Sequence, residues 1–235
     1  MALLHCSAGS EVYYNRIVMK SFVITIMDNP KSVESADRCI ASAKKIGLQV
    51  EKFKAITPND SPFSIAKSEG IDPDGFSEVY SRHANCLSAF LSHYSLWKKC
   101  LLEIGQPIVI FEHDAVVINE LPASNIFKGA VNLGAPSYGK FNQPSFFGMG
   151  PLTTKRYFPG AHAYMVNPKG AEAFIRTAKI SPKPTDVYLN IDTFPWLQEH
   201  YPFVAKADDS FTTIQKEEGC LAKHNYGEGY VIENL

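Results

Sequence analysis

The stretch PIVIFEHDAVVI, residues Pro107 to Ile118, decides the fold class of this chain. Apolar and mostly β-branched residues lead into and out of its centre, a pattern typical of a strand buried in a sheet. The centre itself carries Glu112, His113 and Asp114. Because an unpaired buried charge costs several kcal/mol, either these charges are compensated or the strand ends there at a cleft.

Strands and helices alternate on both sides of this stretch. Ser21–Ile26 and Val50–Ala55 are predicted strands, and the apolar spacing from Val33 to Ala43 predicts a helix between them that ends at Gly47. Further predicted elements are a helix from about Ala84 to Glu103, strands at Ala130–Leu133 and Ala163–Val166, and a helix capped by Asn167. Pro58–Gly75 is predicted to be a long surface loop with at most one helical turn.

This alternation predicts an α/β domain with a largely parallel sheet flanked by helices. We expect one domain over residues 19–235, preceded by an N-terminal extension at 1–18 that has no clear period. The segment Gly134–Gly160 is too long for a plain connection, and its aromatic residues favour either a sugar-facing lid or a small satellite core.

Composition excludes several classes of partner. The net charge of −1 does not indicate non-specific binding to nucleic acid. The five scattered cysteines form no CxxC pair, which favours a reducing compartment. No signal peptide and no transmembrane run is visible, so the expected location is cytoplasmic, with peripheral membrane contact only through a lipid-linked acceptor.

The acids at the end of the central strand predict a cation site. In an extended chain the side chains of Glu112 and Asp114 point to the same face of the strand. The His113 side chain points to the opposite face and is expected to pack there. Parallel sheets bind ligands at the carboxyl ends of their strands, and two carboxylates there suit Mg²⁺ or Mn²⁺ bound together with substrate phosphates. The alternative, a surface turn in which both acids are simply solvated, stays open.

The segment from Leu87 to Val117 resembles glycosyltransferase family 25, the lipopolysaccharide-type galactosyltransferases and their collagen-modifying relatives. That family carries a helix with L-S-H-x-x-x-W, here Leu91 to Trp97, then a short break and a strand ending in E-D-D. Weaker similarities follow in the family's order, and together they cover roughly residues 20–215: KFKAI at Lys52–Ile56, Leu133–Gly134, Gly160–Ile175, Pro184-x-Asp186 and Phe211–Ile214.

The resemblance implies a GT-A fold, a Rossmann-like sheet that binds a nucleotide-sugar and a divalent cation. It also implies transfer of galactose or another hexose from a UDP-sugar, with inversion, to a glycan or lipopolysaccharide-type acceptor. Mn²⁺ or Mg²⁺ would be held by Glu112 and Asp114, with Glu112 binding directly, through water or to the ribose. The base would be Asp186, with Asp192 as the second candidate. Further candidates are Thr25, Arg38 and His93 for the nucleotide, and His162, Tyr164 and Asp192 for the substrate.

Several departures from the family pattern bear on these roles. His113 replaces the middle acid, Cys86 a usual glutamate and Thr25 a usual asparagine, while Arg38 lies several residues beyond the family's arginine. A catalytically inactive relative that binds carbohydrate or nucleotide-sugar therefore stays open.

Structural readings compete with the functional ones. Asp186 suits a helix cap, and His93 and His162 suit satisfied structural positions. Tyr94 and Trp97 are predicted to lie in the core. A metal-dependent phosphoesterase is the third class of function, although the sequence shows no additional His/Asp cluster for a second metal.

Overall fold

A seven-stranded mixed sheet with helices on both faces forms the centre of the fold. The computed structural model describes residues 19–77, 81–122, 126–137, 140–208 and 213–214. The strands and helices are β1 (Lys20–Thr25), α1 (Pro30–Lys44), β2 (Glu51–Lys54), α2 (Pro62–Glu69), α3 (His83–Lys98), β3 (Ile108–Glu112), β4 (Ala115–Val117), β5 (Ala130–Asn132), β6 (Gly148–Pro151), β7 (Ala163–Val166), α4 (Pro168–Ala178), α5 (Thr185–Tyr188), β8 (Gln198–Tyr201) and β9 (Ala205–Ala207).

The strand order of the sheet is β2-β1-β3-β7-β5-β8-β6. β2, β1 and β3 pair in parallel, as do β5 and β8, whereas β7 and β6 run in the opposite direction. The predicted α/β class with a largely parallel mixed sheet is thus confirmed. β4 and β9 form a separate two-stranded ribbon.

Alternation along β1 and β3 builds two apolar layers. Ile24 and Ile110 pack with α3 and α4 on one face, and Val23 and Phe111 pack with α1 on the other. The residue that follows Phe111, Glu112, therefore faces α3 at the point where the strand ends. The aromatic centre of the larger layer is the fully buried Trp97.

Asparagine side chains cap the starts of α1 and α4, and the Asn167 cap of α4 was predicted from the sequence. The Asn29 side chain accepts hydrogen bonds from the backbone N–H groups of Lys31 and Ser32 at the start of α1. The Asn167 side chain caps α4 by accepting from Gly170, with Pro168 at the first helical position. The helix predicted from about Ala84 is α3, which continues as a π-helical stretch, Lys99–Ile104.

One prediction about local structure is wrong. The segment Pro58–Gly75 is mostly helical, because α2 is held by tertiary contacts: Ala66 is buried, and Glu69 accepts from the Tyr94 hydroxyl at 3.1 Å and the Lys98 amine at 2.6 Å.

The apolar stretch 107–118 is divided at its acids, which is one of the two predicted possibilities. A turn at His113 and Asp114 ends β3, and β4 belongs to a different sheet.

Residues 1–18, the predicted N-terminal extension, lie outside the described part of the chain. Within the described part, no helix is both long enough and apolar enough to cross a bilayer.

Candidate functional site

A cavity of about 650 Å³ opens at the carboxyl ends of β1, β2 and β3. The sequence predicts a ligand site at this edge of the sheet, and the structure places the cavity there. Its wall is formed by residues from the strand ends and the turns that follow them, from the start of α1, from the length of α3, and from the segment 213–214. They are Ile24, Ile26, Asp28, Asn29, Pro30, Lys31, Ala55, Ile56, Thr57, Pro58, Asn59, Arg82, Asn85, Ser88, Ala89, Ser92, His93, Glu112, His113, Thr213 and Ile214.

Glu112 on the cavity wall is bonded to the interior of the fold. Its Oε1 lies 2.9 Å from Nε2 of His93 on α3, and its backbone N–H donates to the carbonyl of His162 at 2.9 Å. His93 is only 1% exposed, although it also borders the cavity. The carboxylate of Glu112 is thus compensated by a buried imidazole, which partly explains how charge is tolerated at the end of a buried strand.

The other nitrogen of His93 continues the network inward. Nδ1 lies 2.9 Å from the Tyr164 hydroxyl, and that hydroxyl lies 2.8 Å from Nε1 of Trp97. Tyr164 and Trp97 are fully buried. The structure therefore joins the L-S-H-x-x-x-W helix to the acidic strand through β7.

Burial controls the ionisation of this network. Desolvation lowers the pKa of His93 to about 3, and the nearby Asp186 carboxylate only partly opposes this effect. Burial likewise raises the pKa of Tyr164 well above its usual value. At neutral pH the contact between His93 and Glu112 is therefore a hydrogen bond of a neutral imidazole and not an ion pair.

His113 points toward α1, as predicted, and it also lines the cavity. Its Nδ1 lies 3.2 Å from Oγ of Ser32, which in turn accepts from the backbone N–H of Ile26 at 2.9 Å. Burial, followed by the charge of Arg38, lowers the pKa of His113 to about 4. The residue that replaces the family's middle acid is thus a neutral part of the wall.

Asp114 lies in a turn and not in an extended strand. The prediction that it leaves on the same side as Glu112 assumes an extended chain, whereas residues 113–114 form a turn. The Asp114 charge acts on Cys39 of α1, whose pKa is raised to about 12 by burial first and by Asp114 second. The Asp114 carbonyl accepts from the backbone N–H of Asp208 at 2.8 Å, and Asp114 is not among the residues that line the cavity.

The positively charged residues that line the cavity do not include Arg38, which the sequence predicts as a nucleotide contact. Arg38 is bonded to Asp208 at 2.8 Å and to Ser35 at 3.3 Å, and it does not line the cavity. Arg82, which precedes the first turn of α3, and Lys31, in the first turn of α1, line it instead. Sequence reasoning missed both, and the only available signal was their position just before or inside a first helical turn that follows a predicted strand or loop.

Three further candidates lie behind the cavity wall and not on it. The Thr25 hydroxyl donates to the carbonyl of Val23 at 3.0 Å on the α1 face. The buried His162 ring packs on Gly134, where an added Cβ would lie 2.4 Å from Nε2. The Tyr164 hydroxyl is engaged by His93 and Trp97. Direct ligand contacts predicted for these three side chains are not supported, and their observed role is to hold the wall in place.

The two base candidates also lie outside the residues that line the cavity. Asp186 accepts from the backbone N–H of Val187 at 2.8 Å in the first turn of α5, whose N-cap residue is Pro184, and its charge acts on His93. Asp192 contacts Arg156, and both side chains are 56% exposed.

The segment 213–214 closes one side of the cavity. The backbone N–H of Arg82 donates to the Ile214 carbonyl at 2.9 Å, and the Asn85 amide donates to the Thr213 carbonyl at 2.9 Å. This region includes Phe211–Ile214, which resembles the closing segment of the family. Phe211 and Thr212 lie outside the described residues.

The segment Gly134–Gly160 contributes β6 and borders a second cavity of about 400 Å³. Phe141 is exposed and Tyr157 is buried beside this second cavity, while Tyr138 lies outside the described residues.

The donor atoms at the strand end suit a cation that is completed by substrate. The described residues contain no group of three or more His, Cys, Asp or Glu side chains placed to hold a metal. Glu112 and Asp114 would therefore supply at most two carboxylates. Mg²⁺ is commonly bound in this way, with one or two protein carboxylates together with waters and phosphate oxygens.

Comparison with known proteins supports the family resemblance over the first half of the fold. Residues 19–129, just under half of the chain, match the model of glycosyltransferase family 25 (LPS biosynthesis protein). The predicted resemblance is confirmed for that segment, which supports a glycosyltransferase. The matched segment contains β1 to β3, α1 to α3 and the Glu112–Asp114 turn. No curated protein matches the chain significantly.

Two solved structures are distantly similar. The apo-form glycosyltransferase GlyE of Streptococcus pneumoniae TIGR4 is 10% identical with a TM-score of 0.38, and the match covers 82% of this chain and 46% of that one. This chain thus spans about half the length of GlyE. The CTP:phosphocholine cytidylyltransferase LicC of Streptococcus pneumoniae is 11% identical with a TM-score of 0.38, with 83% and 95% covered.

Proposed function

We propose that this chain is a metal-dependent, inverting glycosyltransferase that moves a hexose from a UDP-sugar to a glycan or lipopolysaccharide-type acceptor. The observation that carries the proposal is the cavity at the ends of three parallel strands, with Glu112 on its wall, inside the segment that matches family 25. Its volume of about 650 Å³ lies in the range of small-ligand sites.

The cavity wall has the composition that a nucleoside diphosphate requires. Ile24, Ile26 and Ile56 offer an apolar surface for a base, and Asn29 and Asn59 also line the cavity. Arg82 and Lys31 supply positive charge for the diphosphate. We expect these two cations, and not Arg38, to bind it, since Arg38 is bonded to Asp208.

In the reaction, the bond between the anomeric carbon and the diphosphate breaks while the acceptor oxygen forms a new bond to that carbon. A bound Mn²⁺ or Mg²⁺, held by Glu112 and Asp114, would neutralise the charge that develops on the departing diphosphate. A base must take the proton of the acceptor hydroxyl from the opposite side. Asp186 is the proposed base, with Asp192 second; in support, the Asp186 charge acts on His93, which borders the cavity.

The proposed acceptor sets the proposed location. A glycan or lipid-linked oligosaccharide assembled in the cytoplasm would bring the enzyme to the membrane surface through the acceptor.

The test is binding and transfer with a panel of UDP-sugars. We expect UDP to bind in the presence of Mn²⁺, as measured by calorimetry, and UDP to be released when donor and acceptor sugar are both present. Glu112→Gln and Asp114→Asn should each weaken Mn²⁺-dependent UDP binding by about ten-fold or more. Glu103→Gln, a 63% exposed acid at the far end of the α3 extension, is the matched control and should leave binding unchanged.

The outcomes separate the proposal from its alternatives. UDP binding with no transfer or hydrolysis across the donor panel would favour an inactive binding relative. Release of inorganic phosphate from simple esters would favour a phosphoesterase. Absence of UDP binding with every donor and metal tested would refute the proposal.

A further inference from the structure

We infer that Trp97 and Tyr164 fix the tautomer of His93 so that its Nε2–H holds Oε1 of Glu112, which makes His93 a positioning residue for the carboxylate at the cavity wall. The catalytic meaning of this inference rests on the proposed function. The arrangement of hydrogens that it assigns does not.

The direction of the hydrogen bonds follows from the first member of the network. The indole N–H of Trp97 can only donate, so the Tyr164 oxygen must accept from it at 2.8 Å. The hydroxyl of Tyr164 has one hydrogen of its own. In the described part of the chain, the acceptor within reach of that hydrogen is Nδ1 of His93, at 2.9 Å. If Nδ1 carried a hydrogen, the buried Tyr164 hydroxyl would be left without an acceptor, which is unfavourable in the protein interior.

The proton of the neutral imidazole must therefore lie on Nε2. From there it points to Oε1 of Glu112 at 2.9 Å. Each of the three contacts is between 2.8 and 2.9 Å, and all the atoms except the Glu112 carboxylate are within the core. The donors thus run in one direction, from Trp97 to Tyr164 to His93 to Glu112.

This direction has a consequence for Glu112. A donor fixed on one oxygen sets the rotation of the carboxylate about its last side-chain bond, and so it sets where the second oxygen points. The same donor favours the ionised carboxylate over the neutral acid. A rigid, ionised Glu112 is the form that a cation or a ribose hydroxyl requires.

The groups that face His93 from neighbouring elements are few. Tyr164 stacks on its ring with centroids 5.7 Å apart, Glu112 accepts at Nε2, and the Asp186 charge acts from α5. Asp186 acts through space, and neither nitrogen is bonded to it in the described structure. The tautomer is therefore set by the two hydrogen bonds.

The first test is spectroscopic and does not depend on activity. In protein labelled with ¹⁵N-histidine, long-range ¹H–¹⁵N correlation of the ring protons distinguishes the Nε2–H tautomer, the Nδ1–H tautomer and the imidazolium. We expect His93, assigned by its absence from His93→Gln, to be the Nε2–H tautomer at neutral pH. Tyr164→Phe combined with Glu112→Gln removes both partners that set the tautomer and should convert that signal to a mixture of tautomers. An Nδ1–H or charged His93 in the wild type would overturn the inference.

The second test measures the effect on Glu112. Tyr164→Phe and Trp97→Phe should lower Mn²⁺ affinity in the presence of UDP, or kcat for transfer, by about 10- to 100-fold, with the KM for acceptor little changed. Tyr94→Phe is the matched control, since it removes a buried hydroxyl one residue from His93 that is bonded to Glu69 and not to this network. Equal effects of Tyr94→Phe and Tyr164→Phe would contradict the inference.

Substitution of His93 itself gives a rescue test. The amide nitrogen of Gln lies near the position of Nε2, whereas that of Asn lies near Nδ1. We expect His93→Gln to retain more Mn²⁺ affinity than His93→Asn, and the reverse order would contradict the inference. If the wild type binds no UDP, the proposed function fails while the tautomer result still decides the hydrogen-bond direction.

Discussion

The two sides of the β3 end hold their charged groups in different ways. On the α3 side, Glu112 is bonded to a chain of neutral, buried groups that ends at Trp97. On the α1 side, Asp114 lies near Arg38 and Asp208, whose ion pair of 2.8 Å is about 40% exposed.

The two sides therefore differ in kind: one is a rigid network of neutral groups, and the other is an exposed pair of charges. A buried neutral network has a single arrangement and depends on the integrity of the core, because each unsatisfied member is costly. An exposed ion pair contributes little to stability and is screened by salt. We therefore expect the α3 side to fix the position of the Glu112 carboxylate. We expect the α1 side to modify the charge near the turn at residues 113–114.

The largest expected effect is on the α3 side. Trp97→Ala removes the indole that packs against Phe90, Phe174 and Tyr188 and also removes the first donor of the network. We expect a loss of about 3–5 kcal/mol in the free energy of unfolding, measured by urea denaturation. Leu102→Ala, at a side chain that is 70% exposed, is the control and should change it by less than about 0.5 kcal/mol. A loss below about 1 kcal/mol for Trp97→Ala would show that the network does not depend on the core.

The second-largest effect is expected from acid, which should lower the free energy of unfolding through His93 on the α3 side. Because the pKa of His93 is about 3 in the folded protein and near 6.5 when unfolded, the unfolded chain binds the extra proton first. The stabilisation is complete above pH 6.5 and decreases as the pH falls toward 3, by roughly 3 kcal/mol at pH 4. His113, with a pKa of about 4, adds in the same direction. Urea denaturation of the metal-free protein between pH 7 and 4 measures this, and His93→Gln should give a flatter dependence; identical slopes would contradict it.

A smaller effect is expected from Ser32, which connects the α1 side to the cavity wall. Ser32→Ala removes the acceptor for the Ile26 backbone N–H and the partner of His113. We expect a loss of about 1–2 kcal/mol in the free energy of unfolding. Ser68→Ala, which removes an exposed hydroxyl on α2, serves as the control and should cost less than about 0.5 kcal/mol. Equal losses in the two variants would mean that His113 is not held by this contact.

The smallest effect is expected at the exposed ion pair. Arg38→Gln should lower the free energy of unfolding by less than about 1 kcal/mol, and 0.5 M NaCl should reduce the difference from the wild type. The measurement is urea denaturation at low and high salt. A salt-independent loss above about 2 kcal/mol would place Arg38 with the buried network and remove the contrast between the two sides.

Local pattern predicted much of the fold around the site. The β1 strand, α1, the helix that contains His93, and α4 with its Asn167 cap follow from residue spacing and capping chemistry. The position of the cavity followed from the general behaviour of parallel sheets. α2 was missed because its polar sequence is stabilised by contacts with α3 that no local window contains.

The residues at the site were predicted less well than the elements that carry them. Glu112 and His93 were identified, but the extended geometry assumed for Asp114 was not found, because residues 113–114 form a turn. Arg82 and Lys31 were missed because their positions at helix starts point to a cavity only after the surrounding strands and helices are assembled.

The sequence by itself determined that an acidic strand end follows a buried helix in an α/β chain, because burial and periodicity are properties of neighbouring residues. Only the tertiary structure decided that Tyr164, 71 residues from His93, supplies the hydroxyl that sets the imidazole. Hydrogen bonds depend on distances of about 3 Å between atoms far apart in the chain. Those distances exist only after β7 has paired with β3, which is why no local pattern could assign the partner.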